Sequence, residues 1–318
     1  MKEGNFIISL DFELHWGAAE KWDLSKKKAY FDATRESVPL VLNLFKKYEI
    51  HATWATVGFL FANNKKQLLD FCPVNKPTYN NNLLSYYNLI DNNEVGKNEE
   101  VDPYHFAPSL ISLIINTPNQ ELATHTFAHY YCTENGQNKF QFDADLKAAQ
   151  QIALENFNYK LKSLVFPRNQ FNNEYLYIAK QNGIKVVRSN PNVWFWKSKF
   201  KFIALARAFD TLFSISKSLT FNSNKLLKKD VLLLPASRFF RPYVTRESRI
   251  QSLKINRIKK EMTYAAKNNR SYHLWWHPHN FGYSTPQNLL QLEDILNHYQ
   301  VLNKKYGLTS KTMLEMDN

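Results

Sequence analysis

The sequence predicts an α/β fold, a distorted barrel in which seven strands alternate with helices. Three observations support this prediction. Short apolar runs with the length of buried strands recur along the chain, amphipathic helical patterns lie between most of them, and 318 residues suit a single barrel. Such alternation is typical of a mostly parallel sheet, and seven strands favour a barrel over an open sheet. We therefore expect one barrel domain over residues 1–318.

The individual elements follow from the spacing of apolar residues. The predicted strands are Phe6–Asp11, His51–Thr56, Glu121–His125, Ser163–Phe166, Lys185–Arg188, Val231–Pro235 and Tyr272–His277. The predicted helices are Phe31–Tyr48, Ala144–Tyr159, Asn173–Asn182, Ile203–Ser216, Ile250–Lys267 and Gln287–Lys304. In the first helix, for example, Val38, Leu42 and Phe45 recur on the face that would pack against the sheet.

Two segments interrupt the alternation. Residues 73–104 are rich in Asn, Pro and Tyr and are expected to form a loop insertion. Residues 196–229 hold eight basic side chains and one acid, Asp210, around an apolar face that includes Phe209 and Leu212. Such an amphipathic stretch can pack on the domain, cover a site as a lid or rest on a lipid surface. Peripheral membrane contact is therefore one expectation for this segment.

Composition limits the classes of partner and the compartment. Lysine and arginine exceed acidic residues by 41 − 28 = 13, which favours an anionic partner such as a charged glycan or a lipid phosphate. No recognition motif accompanies the charge, so we expect no nucleic-acid partner. The chain shows no export signal, no bilayer-spanning apolar run and only two cysteines, Cys72 and Cys132. We expect a cytoplasmic protein, with the inner face of the membrane as an open alternative.

Three ionisable residues lie at the end of the first predicted strand. If the chain stays extended, Asp11, Glu13 and His15 project to the same side, because strand side chains alternate. Ionisable groups that share a strand end need water, a cation or a metal ion around them. One carboxylate could therefore bind a metal ion while its neighbour acts as a base. The alternative is a strand end that emerges into solvent.

A histidine pair follows the third predicted strand. His125 and His129 lie four residues apart, so over a helical turn both imidazoles could reach one divalent ion. Nine histidines make this spacing only moderately informative by itself. The position of the pair at a strand end favours a functional role, because barrel active sites are built at the carboxyl ends of strands.

Two further strand ends carry candidate residues. Arg168 could pair with Asp11 and hold it ionised, whereas the simpler alternative is a surface charge. His277 or His279 could donate a proton to a departing amine, because the ordinary pKa of a histidine side chain lies near neutral pH. The sequence leaves open which of these two histidines points inward.

These residues, in this order, resemble the motifs of the polysaccharide deacetylases with a NodB homology domain, also called carbohydrate esterase family 4. The likeness extends from Asp11 to His279, and the tail 288–313 is similar to members found among surface-polysaccharide assembly proteins. The resemblance implies the distorted (β/α)7 barrel of that family, and it implies a catalytic role for the domain.

The first two motifs imply a metal site. His125 and His129 match the metal-binding histidine motif of the family, and Asp11 matches its catalytic base. In the commonest family pattern the metal carboxylate directly follows the base, whereas here Phe12 intervenes before Glu13. Either Asp11 or Glu13 could therefore complete the metal site.

The later motifs match in part. Arg168 resembles the third-motif arginine, although Asn169, Gln170 and Phe171 replace the usual proline and tyrosine around it. His277 resembles the histidine of the last motif. The fourth motif has only a weak match.

The resemblance implies a function and a cofactor. The expected activity is metal-dependent hydrolysis of an N-acetyl or O-acetyl group on a sugar of a surface polysaccharide or its precursor, including a lipid-linked glycan. The expected cofactor is a divalent metal ion, with zinc as the first choice. Two alternatives stay open: a metal-dependent amidohydrolase that acts on a non-sugar C–N bond, and a non-catalytic glycan-binding protein on the same fold.

Overall fold

Ten strands and eight α-helices form the barrel within the residues that the structure describes. The structure is a computed structural model, and it describes residues 4–191, 218–228 and 230–317. The strands are β1 (Asn5–Phe12), β2 (Ala52–Thr56), β3 (Gln120–Thr124), β4 (Ser163–Leu164), β5 (Val186–Ser189), β6 (Leu227–Lys228), β7 (Leu232–Pro235), β8 (Arg238–Phe239), β9 (Tyr272–Trp276) and β10 (Thr309–Lys311). The helices are α1 (Lys28–Lys47), α2 (Lys65–Phe71), α3 (Tyr87–Asp91), α4 (Pro108–Asn116), α5 (Lys139–Phe157), α6 (Asn173–Gln181), α7 (Gln251–Lys267) and α8 (Thr285–Tyr306).

The predicted elements are found wherever the structure describes the chain. The seven predicted strands correspond to β1, β2, β3, β4, β5, β7 and β9, and five predicted helices correspond to α1, α5, α6, α7 and α8. The predicted helix 203–216 and most of the basic segment 196–229 lie outside the described residues. Residues 73–104, predicted to be a loop, contain the short helix α3. Strands β6, β8 and β10 are too short for a periodic pattern to reveal them.

Hydrogen bonds join the strands into one curled sheet. The strand order is β6-β7-β5-β4-β3-β2-β1-β9-β8, with β10 beside β1, and all described pairs are parallel except β6–β7. β7 and β8 lie near opposite ends of this order, yet only Ala236 and Ser237 separate them in the chain. Ala236 N–H donates to Ser189 O of β5 at 2.8 Å, and Ser237 N–H donates to His273 O of β9 at 2.8 Å. The two ends of the sheet therefore meet, which gives the distorted barrel that the sequence predicts.

The helices cover the outside of this sheet. At the start of α5, Asn138 and Gln141 form a capping box, in which each side chain accepts the backbone N–H of the other. The buried face of α1 includes Val38, Leu42 and Phe45, as the spacing predicts. Within the described residues, no helix has both the length and the apolar character that crossing a bilayer requires.

Side chains of β1 alternate between the helices and the barrel interior. The residues that pack with the helices are Phe6, Ile8, Leu10 and Phe12. On the other face, Ser9 and Asp11 point into the barrel, where both contact Arg188 of β5. The alternation therefore places polar chemistry inside the barrel while the outer face stays apolar.

The chain that follows β10 closes the amino-terminal end of the barrel. Met313 N–H donates to Thr53 Oγ1 at 2.8 Å, and Leu314 N–H donates to Glu121 Oε2 at 3.1 Å. Both Thr53 and Glu121 are buried. The candidate functional residues lie at the other end, where the strands reach their carboxyl termini.

Candidate active site

A cavity of about 370 Å³ opens at the carboxyl ends of the strands. Seven of the eight residues singled out by sequence line it, namely Asp11, Glu13, His125, His129, Arg168, His277 and His279, whereas His15 does not. They come from the ends of β1, β3, β4 and β9, so the fold brings together segments that are far apart in the chain. Their chemical roles depend on the contacts that each one makes.

Glu13 and the histidine pair converge on one point. Glu13 Oε1 lies 3.0 Å from His125 Nε2 and 3.3 Å from His129 Nε2. All three side chains are buried. Burial opposes ionisation of Glu13, but the neighbouring imidazoles of His277, His125 and His129 hold the pKa of this carboxyl well below its ordinary value. Burial lowers the pKa of His129, which keeps its ring neutral and able to bind a cation through nitrogen.

The turn that carries the histidine pair is not helical. Thr126 and His129 adopt left-handed backbone conformations, with φ of 65° and 54°, so the predicted helical turn over this pair is wrong. The centres of the His125 and His129 imidazole rings still lie 5.0 Å apart. The four-residue spacing therefore brings the rings together, although by a different backbone route from the one expected.

The hydrogen bonds of the histidines indicate that a cation fits between them and Glu13. His125 Nδ1 lies 2.7 Å from Val165 O, so this nitrogen carries the proton and donates. Nε2 of His125 then faces a carboxylate oxygen, and a proton or a metal cation between the two atoms makes this contact favourable. Two imidazoles and one carboxylate are ligands that suit a divalent ion such as zinc.

A second set of possible ligands shares Glu13. Asp11, Glu13 and His277 also present ligand atoms close enough together to hold one ion. Asp11, however, is already engaged by an arginine, which makes it a weaker candidate for ligation than Glu13.

The arginine that pairs with Asp11 is Arg188, not Arg168. Arg188 NH1 lies 2.6 Å from Asp11 Oδ1 and NH2 lies 2.7 Å from Oδ2, a bidentate pair that is completely buried. Burial opposes ionisation of Asp11, but the Arg188 guanidinium, together with His125 and His277, lowers the pKa of the carboxyl. Asn169 Oδ1 accepts from Arg188 at 3.3 Å, and the guanidinium stacks 4.3 Å from the centre of the Trp275 ring. The expected pairing of Arg168 with Asp11 is therefore wrong.

Arg168 lies instead on the wall of the cavity. Its guanidinium pairs with Glu20 at 3.0 Å and Glu134 at 3.1 Å, and it stacks 4.1 Å from the centre of the Tyr131 ring. Arg168 has a left-handed φ of 55°, which turns the chain just after β4 and directs the side chain towards these acids. One third of the side chain is exposed. The arginine thus shapes the cavity without contacting Asp11.

The two histidines after β9 have different environments. Their rings stack in parallel, with centres 4.9 Å apart. His277 is one quarter exposed, and its Nε2 lies 3.7 Å from Asp11 Oδ2 and 3.8 Å from Glu13 Oε1. His279 is buried, and burial lowers its pKa to about 3, so this ring is neutral at pH 7. Of the two rings, His277 is therefore the one that is accessible from the cavity.

His15 does not join the cluster. Leu14 has a left-handed φ of 48°, so the chain turns directly after Glu13 and the extended geometry assumed for three residues ends there. His15 Nδ1 lies 2.9 Å from His105 Nε2, and His105 Nδ1 lies 2.8 Å from Asp102 Oδ2. This buried chain of hydrogen bonds ties the end of β1 to Asp102, in the predicted insertion, and to His105 just after it.

Residues 73–104 pack against the histidine pair through Tyr86. Tyr86 lies nearly parallel to the His129 ring, with ring centres 5.6 Å apart and an angle of 21°. Its hydroxyl donates to the Glu20 carboxylate and lies 2.9 Å from the Tyr131 hydroxyl. The predicted insertion is thus in direct contact with a candidate metal ligand.

Arg188 is the important residue that the sequence argument missed. A signal was present, because an arginine in a strand that is otherwise apolar must find a buried partner. Trp22, Tyr131 and Trp275 also line the cavity and were not anticipated. No motif or spacing distinguishes them from other aromatic residues in a chain of which 15% is aromatic.

A barrel of parallel strands that presents a histidine pair and acidic residues at its carboxyl ends has the architecture of a barrel hydrolase site. The family model described as polysaccharide deacetylase matches residues 26–187, just over half of the chain. The chain belongs to the polysaccharide deacetylase family. This confirms the family resemblance, whereas placement in a surface-polysaccharide branch stays a prediction.

Solved structures agree on the fold. A Mycobacterium smegmatis protein assigned as a polysaccharide deacetylase aligns with a TM-score of 0.62 and 12% identity, over 99% of this chain and 89% of the other. A Pseudomonas aeruginosa PAO1 protein with the same assignment aligns with a TM-score of 0.58 and 9% identity, over 98% of this chain and 88% of the other. The Puue allantoinase aligns with a TM-score of 0.56 and 10% identity, over 98% of this chain and 88% of the other. A search of curated proteins found no match. At these identities the likeness concerns the fold alone.

Replacing Arg188 should destabilise the protein more than replacing Arg168. Arg188→Met leaves Asp11 buried without its cation, which should lower the free energy of unfolding by about 3–5 kcal/mol. Arg168→Met removes two partly exposed ion pairs and should cost about 1–2 kcal/mol, with about 1 kcal/mol or less for each pair. Urea denaturation at neutral pH measures both, and adding Asp11→Asn to Arg188→Met should recover part of the loss. Equal effects of the two arginine variants would contradict the pairing.

The same comparison has a predicted pH dependence. In the wild type the native pKa of Asp11 is lowered, so stability from the pair is present at neutral pH and is lost as pH falls through that lowered value. In Arg188→Met, burial without the cation should raise the native pKa, so protonation at low pH stabilises the variant. The difference in unfolding free energy should therefore shrink as pH falls from about 7 to about 3.

Proposed function

We propose that this protein is a metal-dependent hydrolase that removes the acetyl group from an amino sugar, with an O-acetylated sugar as the second substrate type. The observation that carries the proposal is one cavity in which Glu13, His125 and His129 converge beside the Asp11–Arg188 pair. Membership of the polysaccharide deacetylase family supports a sugar substrate. We place this sugar in a surface polysaccharide or its precursor, including a lipid-linked glycan.

Glu13, His125 and His129 are the proposed metal ligands, with zinc as the first choice. A divalent ion bound there would polarise the acetyl carbonyl and lower the pKa of a water molecule. His125 is held for this role by its bond to Val165 O, which fixes the tautomer and leaves Nε2 facing the site. Glu13 is preferred to Asp11 as the third ligand because no arginine among the described residues pairs with it, whereas Arg188 pairs with Asp11.

Asp11 is the proposed general base. Its ionised carboxylate would take a proton from the attacking water as the water oxygen adds to the carbonyl carbon. Arg188 keeps Asp11 ionised and fixes its orientation through two charge-assisted hydrogen bonds. We assign Arg168 a positional part, because it holds Glu20 and Tyr131 at the wall where the substrate would lie.

His277 is the proposed general acid. As the C–N bond breaks, the departing nitrogen needs a proton, and His277 is the partly exposed histidine, with Nε2 near both Asp11 and Glu13. The products are acetate and a free amine. His279 is neutral and stacked on His277, so we assign it the part of supporting that ring.

Metal removal should abolish acetate release. His125→Ala should also lose bound metal, because one of three buried ligands is gone. The measurements are metal content of the purified protein and acetate released from N-acetylated sugars, nucleotide sugars and lipid-linked glycans, before and after chelation. His298→Ala is the matched control, since His298 bonds Thr263 and Lys259 on the outer helices. Activity that survives complete metal removal would contradict the proposal.

Asp11→Asn should separate the base from the metal ligands. The variant should lose turnover by about 10²–10⁴-fold while it keeps its metal, because Glu13 completes the site. Metal content and kcat are measured on the same preparation. Loss of metal in Asp11→Asn together with retention in Glu13→Gln would reverse the two assignments. Unchanged glycan affinity in Asp11→Asn, with no hydrolysis by the wild type, would favour the glycan-binding alternative.

His277→Gln should lower kcat by about 10²–10⁴-fold on an N-acetylated sugar. The deficit should be much smaller on an activated aryl acetate ester, because its phenolate leaves without a proton. Steady-state kinetics on both substrates measure this, with His279→Gln as the comparison. Equal deficits of His277→Gln on the two substrates would rule out the acid role.

A further inference from the structure

A buried carboxylate lies beneath the turn that carries the histidine pair. Asp145, on α5, is completely buried. Its Oδ1 accepts the backbone N–H of Phe127 at 2.7 Å, and its Oδ2 accepts that of Ala128 at 3.0 Å. Phe127 and Ala128 belong to the spacer between His125 and His129. The carboxylate thus contacts the turn without contacting either imidazole.

The turn formed by residues 125–129 requires stabilising contacts, because its backbone is strained. Thr126 and His129 both adopt the left-handed region, which is unfavourable for residues with a Cβ and above all for a β-branched one. The carbonyl groups of the turn are held from one side, where Thr126 O accepts from Gly58 N–H at 2.8 Å and Phe127 O accepts from Phe59 N–H at 3.0 Å. Asp145 holds the N–H groups on the other side.

Within the described residues, Asp145 makes its hydrogen bonds to the backbone N–H groups of Phe127 and Ala128. Burial raises the pKa of its carboxyl to about 7, and the N–H groups of Phe127 and Ala128 are the interactions that counter this effect. Burying a carboxylate is costly unless hydrogen bonds replace those that it made to water. The two N–H bonds to the turn therefore explain why an acid occupies this position.

We propose that Asp145 is a positioning residue that holds the 125–129 turn in the conformation in which both imidazoles face Glu13. This inference rests on the proposed metal site. It explains how a non-helical turn with two left-handed residues keeps two Nε2 atoms within 3.0 Å and 3.3 Å of the same carboxylate oxygen. Residues that orient metal ligands typically change metal affinity by about 10–100-fold when they are altered.

Asp145→Asn is the test variant, and Glu121→Gln is its matched control. Asn keeps the size and one acceptor, but its amide N–H₂ would oppose one of the two backbone N–H groups. Glu121 is likewise a buried carboxylate, and it accepts from a backbone N–H, that of Leu314, and from the Thr53 hydroxyl at the closed end of the barrel. Both variants should lose stability, and only Asp145→Asn should change the metal site.

Two measurements decide the question. Cobalt(II) titration of the metal-free proteins, followed by the visible absorption of the ion, should show affinity reduced about 10–100-fold and an altered spectrum in Asp145→Asn, with Glu121→Gln like the wild type. Amide hydrogen exchange in the metal-free protein should show faster exchange at Phe127 and Ala128 in Asp145→Asn alone.

The outcomes separate this inference from the proposed function. If the wild type binds cobalt and Asp145→Asn binds it with equal affinity and the same spectrum, the positioning role is overturned. If the wild type binds no cobalt, the proposed function fails, and unchanged exchange at Phe127 and Ala128 in Asp145→Asn would overturn the positioning role as well. Equal loss of cobalt affinity in both variants would indicate general destabilisation and would also overturn it.

Discussion

A buried ion pair across the barrel interior is the interaction on which the site depends. Asp11 on β1 and Arg188 on β5 are separated in the sheet by three strands, and their side chains meet only because the sheet curls. Arg188 also donates to Ser9 Oγ at 3.1 Å, and Ser9 lies 2.8 Å from His273 Nε2. A buried charge that loses its partner is strongly destabilising, so this polar layer constrains the relative positions of β1, β5 and β9.

The pair also explains how two neighbouring carboxylates can differ in chemistry. Asp11 and Glu13 are two residues apart, and both are buried and ionised. Both oxygens of Asp11 are bonded to a permanent cation, whereas Glu13 faces only imidazoles within the described part of the chain. Glu13 is therefore the one whose charge remains available to an added ion. Environment, rather than residue type, separates the two roles.

The sequence allowed the barrel and most of the ionisable residues that line the cavity to be predicted, because both depend on local patterns. Apolar periodicity located the strands, and strand ends located the ionisable residues. The predictions that were wrong concern residues whose positions depend on tertiary contacts or on single backbone angles. The partner of Asp11 lies 177 residues away in the chain, and no spacing rule distinguishes Arg188 from Arg168 as that partner. His15 was misplaced because one left-handed residue, Leu14, redirects the chain after Glu13.

The stacking of Tyr86 on His129 has a consequence for how such a protein can diversify. Most of the ionisable side chains of the cavity come from strand ends, while Tyr86 comes from a connecting segment that the strands do not constrain. Connecting segments tolerate changes of length and sequence far better than barrel strands do. New specificities could thus arise by exchanging residues 73–104, provided that an aromatic ring is retained against the imidazole. That contact and the hydrogen bond from His105 to Asp102 would mark the positions of this segment that are not free to vary.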